Sequence, residues 1–225
     1  MGPALPLGTG STQRALLLTT LAVPLTGWTV HAVALHRRLA AARRDPLTGL
    51  LSRDSYTAKA RQILNRYAGS PTVLMCDLDH FKAINDTFGH AAGDAVITAT
   101  AERLSTWAGS RAAVGRLGGD EFALTLRIAP ERRQARLAQL VHALTKPVVL
   151  EDHRVVQVAA SIGAAAADAL GTTDLSVLQR AADTALYKGK HSGRAVLATS
   201  DDLTTASVNG RRAGRPGTHT LEPTA

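Results

Sequence analysis

The carboxylates best placed to do chemistry in this chain fall in two tight groups, Asp77 with Asp79 and Asp120 with Glu121. Neighbouring carboxylates repel each other unless a cation lies between them. Oxygen donors of this kind suit a hard divalent ion, Mg²⁺ in particular, which usually holds substrate phosphates as well. Lys82, Lys190 and Arg194 add cations of the sort that meet phosphate. Asn85 can donate and accept, and Asp94 accepts from paired N–H groups, a match for the edge of a base. Combined, these residues describe a nucleoside-triphosphate site run by positioning and charge stabilisation. Each also has a plainer reading. Asp120 and Glu121 can belong to a solvated turn, Asp77, Asp79 and Asp94 can cap helices, and Lys190 can compensate a helix dipole. His90 reads as a turn residue rather than a ligand.

The elements that must position these groups are legible in the hydrophobic pattern. Asp120 and Glu121 follow Gly118-Gly119, with the apolar run Ala112-Ala113-Val114 before and the alternation Phe122, Leu124, Leu126, Ile128 after. That is two strands joined by a Gly-Gly turn, whose glycines allow positive φ and close approach to the backbone. Thr72 to Leu78 is a short apolar run bounded by turn signals, expected as a central strand buried on both faces. Asp77 and Asp79 stand at its end, where chemistry gathers in open α/β sheets. Helices are predicted over 52–67 with Ser52 as N-cap, 91–107, 130–145 and 174–190. Residues 80–94 read as a connector dense in polar groups, glycine and aromatics. Residues 148–150 and 154–162 are predicted as a hairpin through Glu151-Asp152, ended by Ser161-Ile162-Gly163, and 194–197 as a last strand. Neither a Walker lysine loop nor a dinucleotide fingerprint occurs.

The 225 residues, 45% hydrophobic and 4% aromatic, suit one domain with appendages and a core of Ala, Leu and Val. One cysteine, Cys76, excludes an internal disulfide and reads as a small buried hydrophobe. The net charge of +8 is concentrated in flanks and tail, at Arg37-Arg38, Arg43-Arg44 and Arg211-Arg212. A basic patch interleaved with aromatics is missing, so nucleic acid is not expected as a partner. Residues 15–36 are apolar and preceded by Arg14, with most of the arginines following. The positive-inside pattern predicts a single membrane span with the bulk of the chain in the cytoplasm; a cleaved signal peptide and an amphipathic or buried soluble helix are the competing readings. The expected layout is a short tail over 1–14, a span over 15–36, a basic linker helix over 37–44, a domain over 45–199 and a disordered tail over 200–225.

The motifs Asp45-Pro46-Leu47-Thr48-Gly49-Leu50, Asp77-Leu78-Asp79-His80-Phe81-Lys82, Asn85-Asp86-Thr87-Phe88-Gly89-His90, Gly93-Asp94, Arg116 to Phe122, Ser161-Ile162-Gly163, Ala182 to Tyr187 and Lys190 to Arg194 occur in order. Together they resemble the GGDEF family of diguanylate cyclases over residues 45 to about 197. The resemblance implies an α+β domain, with a central, mostly antiparallel sheet of about five strands flanked by helices, like nucleotidyl cyclases. It implies a homodimer condensing two GTP into cyclic di-GMP and two pyrophosphates. It further implies Asp77, Asp120 and the Leu78 carbonyl as ligands of Mg²⁺ or Mn²⁺, and Asp120 or Glu121 as an aid to deprotonating the 3′-hydroxyl. Asn85 and Asp94 would contact guanine, Phe81 through its backbone with Lys82, Lys190 and Arg194 the phosphates, and Gly118 and Gly119 would let the nucleotide lie against the turn. The family's inhibitory product site, Arg-x-x-Asp, falls on Gly109 and Ala112, so that site is expected to be absent. The alternative is a catalytically silent module that binds GTP or a partner protein.

Overall fold

The apolar run leading to Asp77 forms the middle strand, β1 (Pro71–Leu78), and every residue in it is buried. The structure is a computed structural model and describes residues 28, 31, 43–67, 71–190 and 192–203. In chain order, α1 (Arg53–Arg66) precedes β1. It is followed by α2 (Phe81–Phe88), α3 (His90–Ala108), β2 (Ala113–Gly118), β3 (Glu121–Arg127), α4 (Pro130–Leu144), β4 (Val148–Val149) and β5 (Val155–Val156). Then come β6 (Ala160–Ala166), α5 (Ala167–Leu170), α6 (Leu175–Lys188), β7 (Ala195–Leu197) and a 3₁₀ turn over Ser200–Leu203. The main sheet has five strands in the order β2-β3-β1-β6-β7, antiparallel throughout except for the parallel β6–β7 pair. This is the expected α+β architecture.

Alternation along β1 divides the core in two. Leu74, Cys76 and Leu78 face one layer, with Val96, Ile97 and Leu104 of α3 and Leu137 and Leu140 of α4. Val73 and Met75 face the other, with Tyr56 of α1 and Leu178, Ala182 and Leu186 of α6. With few aromatics available, the second layer closes by bringing helix backbone down onto the sheet. A Cβ on Gly163 of β6 would stand 1.9 Å from the Ala182 carbonyl oxygen and 2.4 Å from the Leu186 nitrogen. On the other edge the Tyr56 ring lies over Gly115, and its hydroxyl shares a 2.9 Å hydrogen bond with Thr125. Burial pushes both the Tyr56 hydroxyl and the Cys76 thiol well above their ordinary pKa values, so Cys76 is the inert apolar group its surroundings predict.

Several boundaries differ from the sequence reading. The connector over 80–94 is largely helical, α2 and the start of α3. Ser161-Ile162-Gly163 does not end a hairpin strand but opens β6, because the β4–β5 pair stands apart as its own two-stranded ribbon. Ser52 is at the N-cap of α1 but makes no capping hydrogen bond; its hydroxyl donates instead to Ser55. Asp174 caps α6, accepting from the Ser176 and Val177 amides. Of the expected basic linker, the described residues Arg43 and Arg44 are not helical, and Arg44 pairs with Leu51 across an isolated bridge. The span expected over 15–36 lies outside the described residues apart from Trp28 and His31. Among the described residues no helix is long and apolar enough to cross a membrane. The tail read as disordered from 200 is corrected at its start: residues 200–203 form the 3₁₀ turn, with Asp202 buried against the domain.

Candidate active site

The register of β1 against β3 decides which carboxylates meet. Asp77 is the direct partner of Glu121. Directly opposed residues point to the same side, and like charges opposed in this way are destabilising unless a cation intervenes. Asp77 shares the face of Val73 and Met75, where α6 packs, and just past the end of α6 Lys190 reaches over. Its ammonium lies 3.1 Å from Asp77 Oδ1, with the aspartate side chain 11% exposed. Asp120 is tied in through its backbone, whose carbonyl accepts from the Leu78 amide at 3.3 Å. Thus Asp77, Leu78, Asp120, Glu121 and Lys190, drawn from three separate parts of the chain, are assembled at one end of the sheet.

Neither Asp77 nor Asp79 stands at the N-cap of α2. The N-cap of α2 is His80, in the left-handed region at φ 56°, and no side-chain hydrogen bond caps it. A non-glycine residue in that region stores strain of the kind found at functional sites. It turns the chain so that the first-turn amides of α2, beginning at Phe81, follow directly on the acidic strand end. Amides at a helix start attract anions. Asp79 is buried and accepts from Ser161 Oγ at 2.7 Å, which fastens the end of β1 to β6. Asp94 is exposed in the second turn of α3, too far along to cap it.

Asn85 and the Gly93-Asp94 step are also brought together. A Cβ on Gly93 would fall 1.9 Å from Asn85 Oδ1 and 3.2 Å from the Phe81 ring, so glycine there makes room for the amide. The other predicted residues are placed less tightly. Lys82 is 79% exposed and paired with Asp86 at 3.2 Å on its own helix. Arg194 is exposed in the α6–β7 loop, beside a cavity of about 520 Å³ that it lines with Leu137 and Val141 of α4.

The acidic turn is held by two residues to which the sequence reading gave no role. Gly118 and Gly119 have φ of 144° and 56°, open to glycine and strained for other residues. The Gly119 carbonyl accepts from both Nε and Nη2 of Arg116, at 3.0 and 2.8 Å, and Arg116 Nη1 reaches Asp45 at 3.1 Å. Asp45 accepts in addition from the amide and hydroxyl of Thr48. The Asp45-Pro46-Leu47-Thr48-Gly49-Leu50 turn therefore clamps the glycine turn through one arginine. Burial alone would raise the Asp45 carboxyl, but the hydrogen bonds from Thr48 and Arg116 outweigh it and hold the group below its ordinary 3.8. With the folded pKa below the unfolded one, the clamp contributes fully above about pH 4 and fades as pH falls through the folded value. Arg116→Ala is expected to cost about 1 kcal/mol, since it removes the two bonds to the Gly119 carbonyl and the pairing with the half-buried Asp45 carboxylate. Amide exchange at Gly118 to Asp120 should accelerate more than the domain average, which hydrogen-exchange mass spectrometry checks.

Comparison with known proteins bears on the same residues. The model of the "Diguanylate cyclase, GGDEF domain" family matches residues 42–196. The 19.3 kDa protein in the repSA 5′ region of Streptomyces ambofaciens is 45% identical over 172 residues, covering 76% of this chain and 91% of its own. Diguanylate cyclase DgcN of Escherichia coli is 36% identical over 159 residues, 68% of this chain; the match spans 38% of DgcN's length. The coiled-coil and GGDEF domain of DgcB from Caulobacter crescentus, solved in complex with c-di-GMP, superposes with a TM-score of 0.67 at 25% identity over 80% of this chain and all of that one. With an acid-bearing strand end, a glycine turn and a lysine assembled on this sheet, and a family model covering most of the chain, the protein belongs to the GGDEF domain family of diguanylate cyclases.

Proposed function

We propose that this protein condenses two molecules of GTP into cyclic di-GMP with release of two pyrophosphates. The observation that carries the reading is the pairing of Asp77 with Glu121 on one face of the sheet under the Lys190 ammonium, within a domain of this family. The donor set is all oxygen and fits a hard divalent ion, with Asp77, Asp120 and the Leu78 carbonyl as the groups that would hold Mg²⁺ or Mn²⁺. Among the described residues no three His, Cys, Asp or Glu side chains converge on one point. Mg²⁺ needs no such cage, because one or two carboxylates and the substrate phosphates commonly suffice. Bound there, the ion would neutralise charge developing on the α-phosphate.

The chain's own residues do the rest. The amides at the start of α2, from Phe81, receive a phosphate oxygen, and Lys190 and Arg194 approach the triphosphate from the α6–β7 side. Lys82, on a long exposed stem, joins them by leaving Asp86. Asn85 and Asp94 read the guanine edge, and Gly118 and Gly119 leave space for the nucleotide against the turn. Asp120 or Glu121 takes the proton from the 3′-hydroxyl. The freed oxygen bonds to the α-phosphorus of the second GTP as the bond to pyrophosphate breaks, and the reciprocal step closes the ring. One domain presents one GTP, so a homodimer must bring two sites face to face. We place the protein at the inner membrane, anchored by the apolar run over 15–36 with the domain in the cytoplasm, a reading supported by the arginines that follow that run. Gly109 and Ala112 replace the family's product-binding pair, so strong inhibition by product through that site is not expected.

The test is incubation of the full chain in detergent with GTP and Mg²⁺, with products read by mass spectrometry. Cyclic di-GMP supports the enzyme reading; GTP binding without product points to a silent nucleotide-binding module, and no binding overturns both. Gly93→Ala probes the base contact separately. The atom a new methyl would displace is the end of the flexible Asn85 side chain, so stability should change by less than about 1 kcal/mol. The KM for GTP should rise roughly tenfold, the loss of one positioned polar contact. Thermal melts and initial rates on the same sample separate the two effects.

A further inference from the structure

The loop that carries Lys190 and Arg194 is closed by a residue beyond the expected end of the domain. Asp202 is 2% exposed, in the 3₁₀ turn that follows β7. Its Oδ1 takes the Lys188 ammonium at 2.5 Å, at the last residue of α6. Its Oδ2 takes the Thr199 amide at 2.8 Å and the Thr199 hydroxyl at 3.3 Å, just past β7. One carboxylate thus joins the two stems of the segment 189–198, with a different oxygen on each. The segment's described residues pack closely at both stems: a Cβ on Gly189 would meet Val196 Cγ2 at 2.4 Å, and the Lys190 and Ser192 amides turn back on Tyr187 and Gly189. From this segment Lys190 reaches Asp77. Burial alone would raise the Asp202 carboxyl, but the bonds from Lys188 and Thr199 hold it low, so the staple is ionic at neutral pH.

The geometry points to Asp202, acting through Lys188 and Thr199, as a positioning residue that sets Lys190 against the acidic strand end and so tunes affinity for the triphosphate of the substrate. This rests on the reading of Lys190 as a phosphate contact. If the turn only fastened the C-terminal end of the domain, loosening it would lower stability without touching nucleotide affinity.

The experiment measures the Kd of a non-hydrolysable GTP analogue with Mg²⁺ on the full chain in detergent, alongside the thermal midpoint. Four variants are compared with the unmodified chain: Asp202→Asn, Lys188→Gln, Lys190→Ala and the double variant Asp202→Asn with Lys190→Ala. Lys190→Ala is expected to weaken binding roughly tenfold, the scale of one charge-assisted contact. Asp202→Asn and Lys188→Gln should each weaken it about fivefold, and the double variant should bind no more weakly than Lys190→Ala alone, because coupled residues are not additive. Should Asp202→Asn fail to fold, Lys188→Gln decides, since that side chain is 53% exposed and its loss removes the same pair. Wild-type affinity in the folded Asp202 and Lys188 variants, or an additive double variant, overturns the staple while leaving the phosphate reading intact. Wild-type affinity in Lys190→Ala overturns the phosphate reading and the staple with it.

Discussion

Asp77→Asn is expected to lower cyclic di-GMP production on the order of a thousandfold, with the thermal midpoint shifted by no more than about 2 °C. The substitution keeps the shape of the side chain and removes its charge. In the fold the carboxylate lies opposite Glu121 and beside Lys190, at the buried end of β1. Removing the charge relieves repulsion with Glu121 and loses attraction to Lys190, so the effects on stability oppose each other. For the reaction there is no such compensation. On the proposed function a carboxylate at this point would be a main anchor for a divalent ion, and preorganised charge supplies most of the barrier reduction in phosphoryl transfer. Initial rates at saturating GTP and Mg²⁺, followed by mass spectrometry, check the first part and calorimetry the second. A residual rate above about one tenth of the original would remove Asp77 from the metal site. Glu121→Gln beside Asp120→Asn then asks which of the two takes the 3′ proton. The one whose loss flattens the acidic limb of the rate profile without altering the Mg²⁺ requirement is the base.

The largest structural effect should come from Gly163→Val, a substitution that adds no charge. The positions a new Cβ would strike, the Ala182 carbonyl and the Leu186 amide, are backbone of α6, and a packed helix cannot shift one turn without moving the rest. Overpacking of this kind costs on the order of 3 kcal/mol, or about 10 °C in a domain of this size, and loss of folded protein is an acceptable form of the same result. Calorimetry of the variant is the check, and a midpoint within about 2 °C of the unmodified chain would show that α6 does not rest on β6 through its backbone. Activity should fall with stability, because α6 also carries the loop that delivers Lys190.

Much of this was readable before folding. The apolar run before Gly118-Gly119 and the alternation after it, the short apolar run ending in Asp77 and the motif order were sufficient for the hairpin, the buried central strand and the family. These signals are local: a period of two, a period of 3.6, and glycines where the chain must turn. The misreadings also have local causes. Residues 80–94 carry two glycines and polar groups scattered among the apolar ones, so the helical pattern was hidden. Ser161-Ile162-Gly163 looked like an ending because glycine usually punctuates, whereas here it is where α6 presses on β6. Asp202 stands in a stretch whose composition resembles a tail, and its burial is decided by Lys188 and Thr199, neither of which marks it in the sequence.

The sequence by itself determined which residues are chemically equipped to act, since acids, cations and glycines at those spacings are properties of the chain. Only the tertiary structure decided which of them meet. Asp77 opposes Glu121 because the antiparallel register of β1 on β3 aligns them, and a slip of one residue would turn one acid to the opposite face. Lys190 reaches Asp77 because α6 packs on that face of the sheet. Arg116 holds the glycine turn because the segment from Asp45 folds back onto β2. Contacts between residues tens of positions apart depend on register and on helix placement, and both follow from burying the whole core at once.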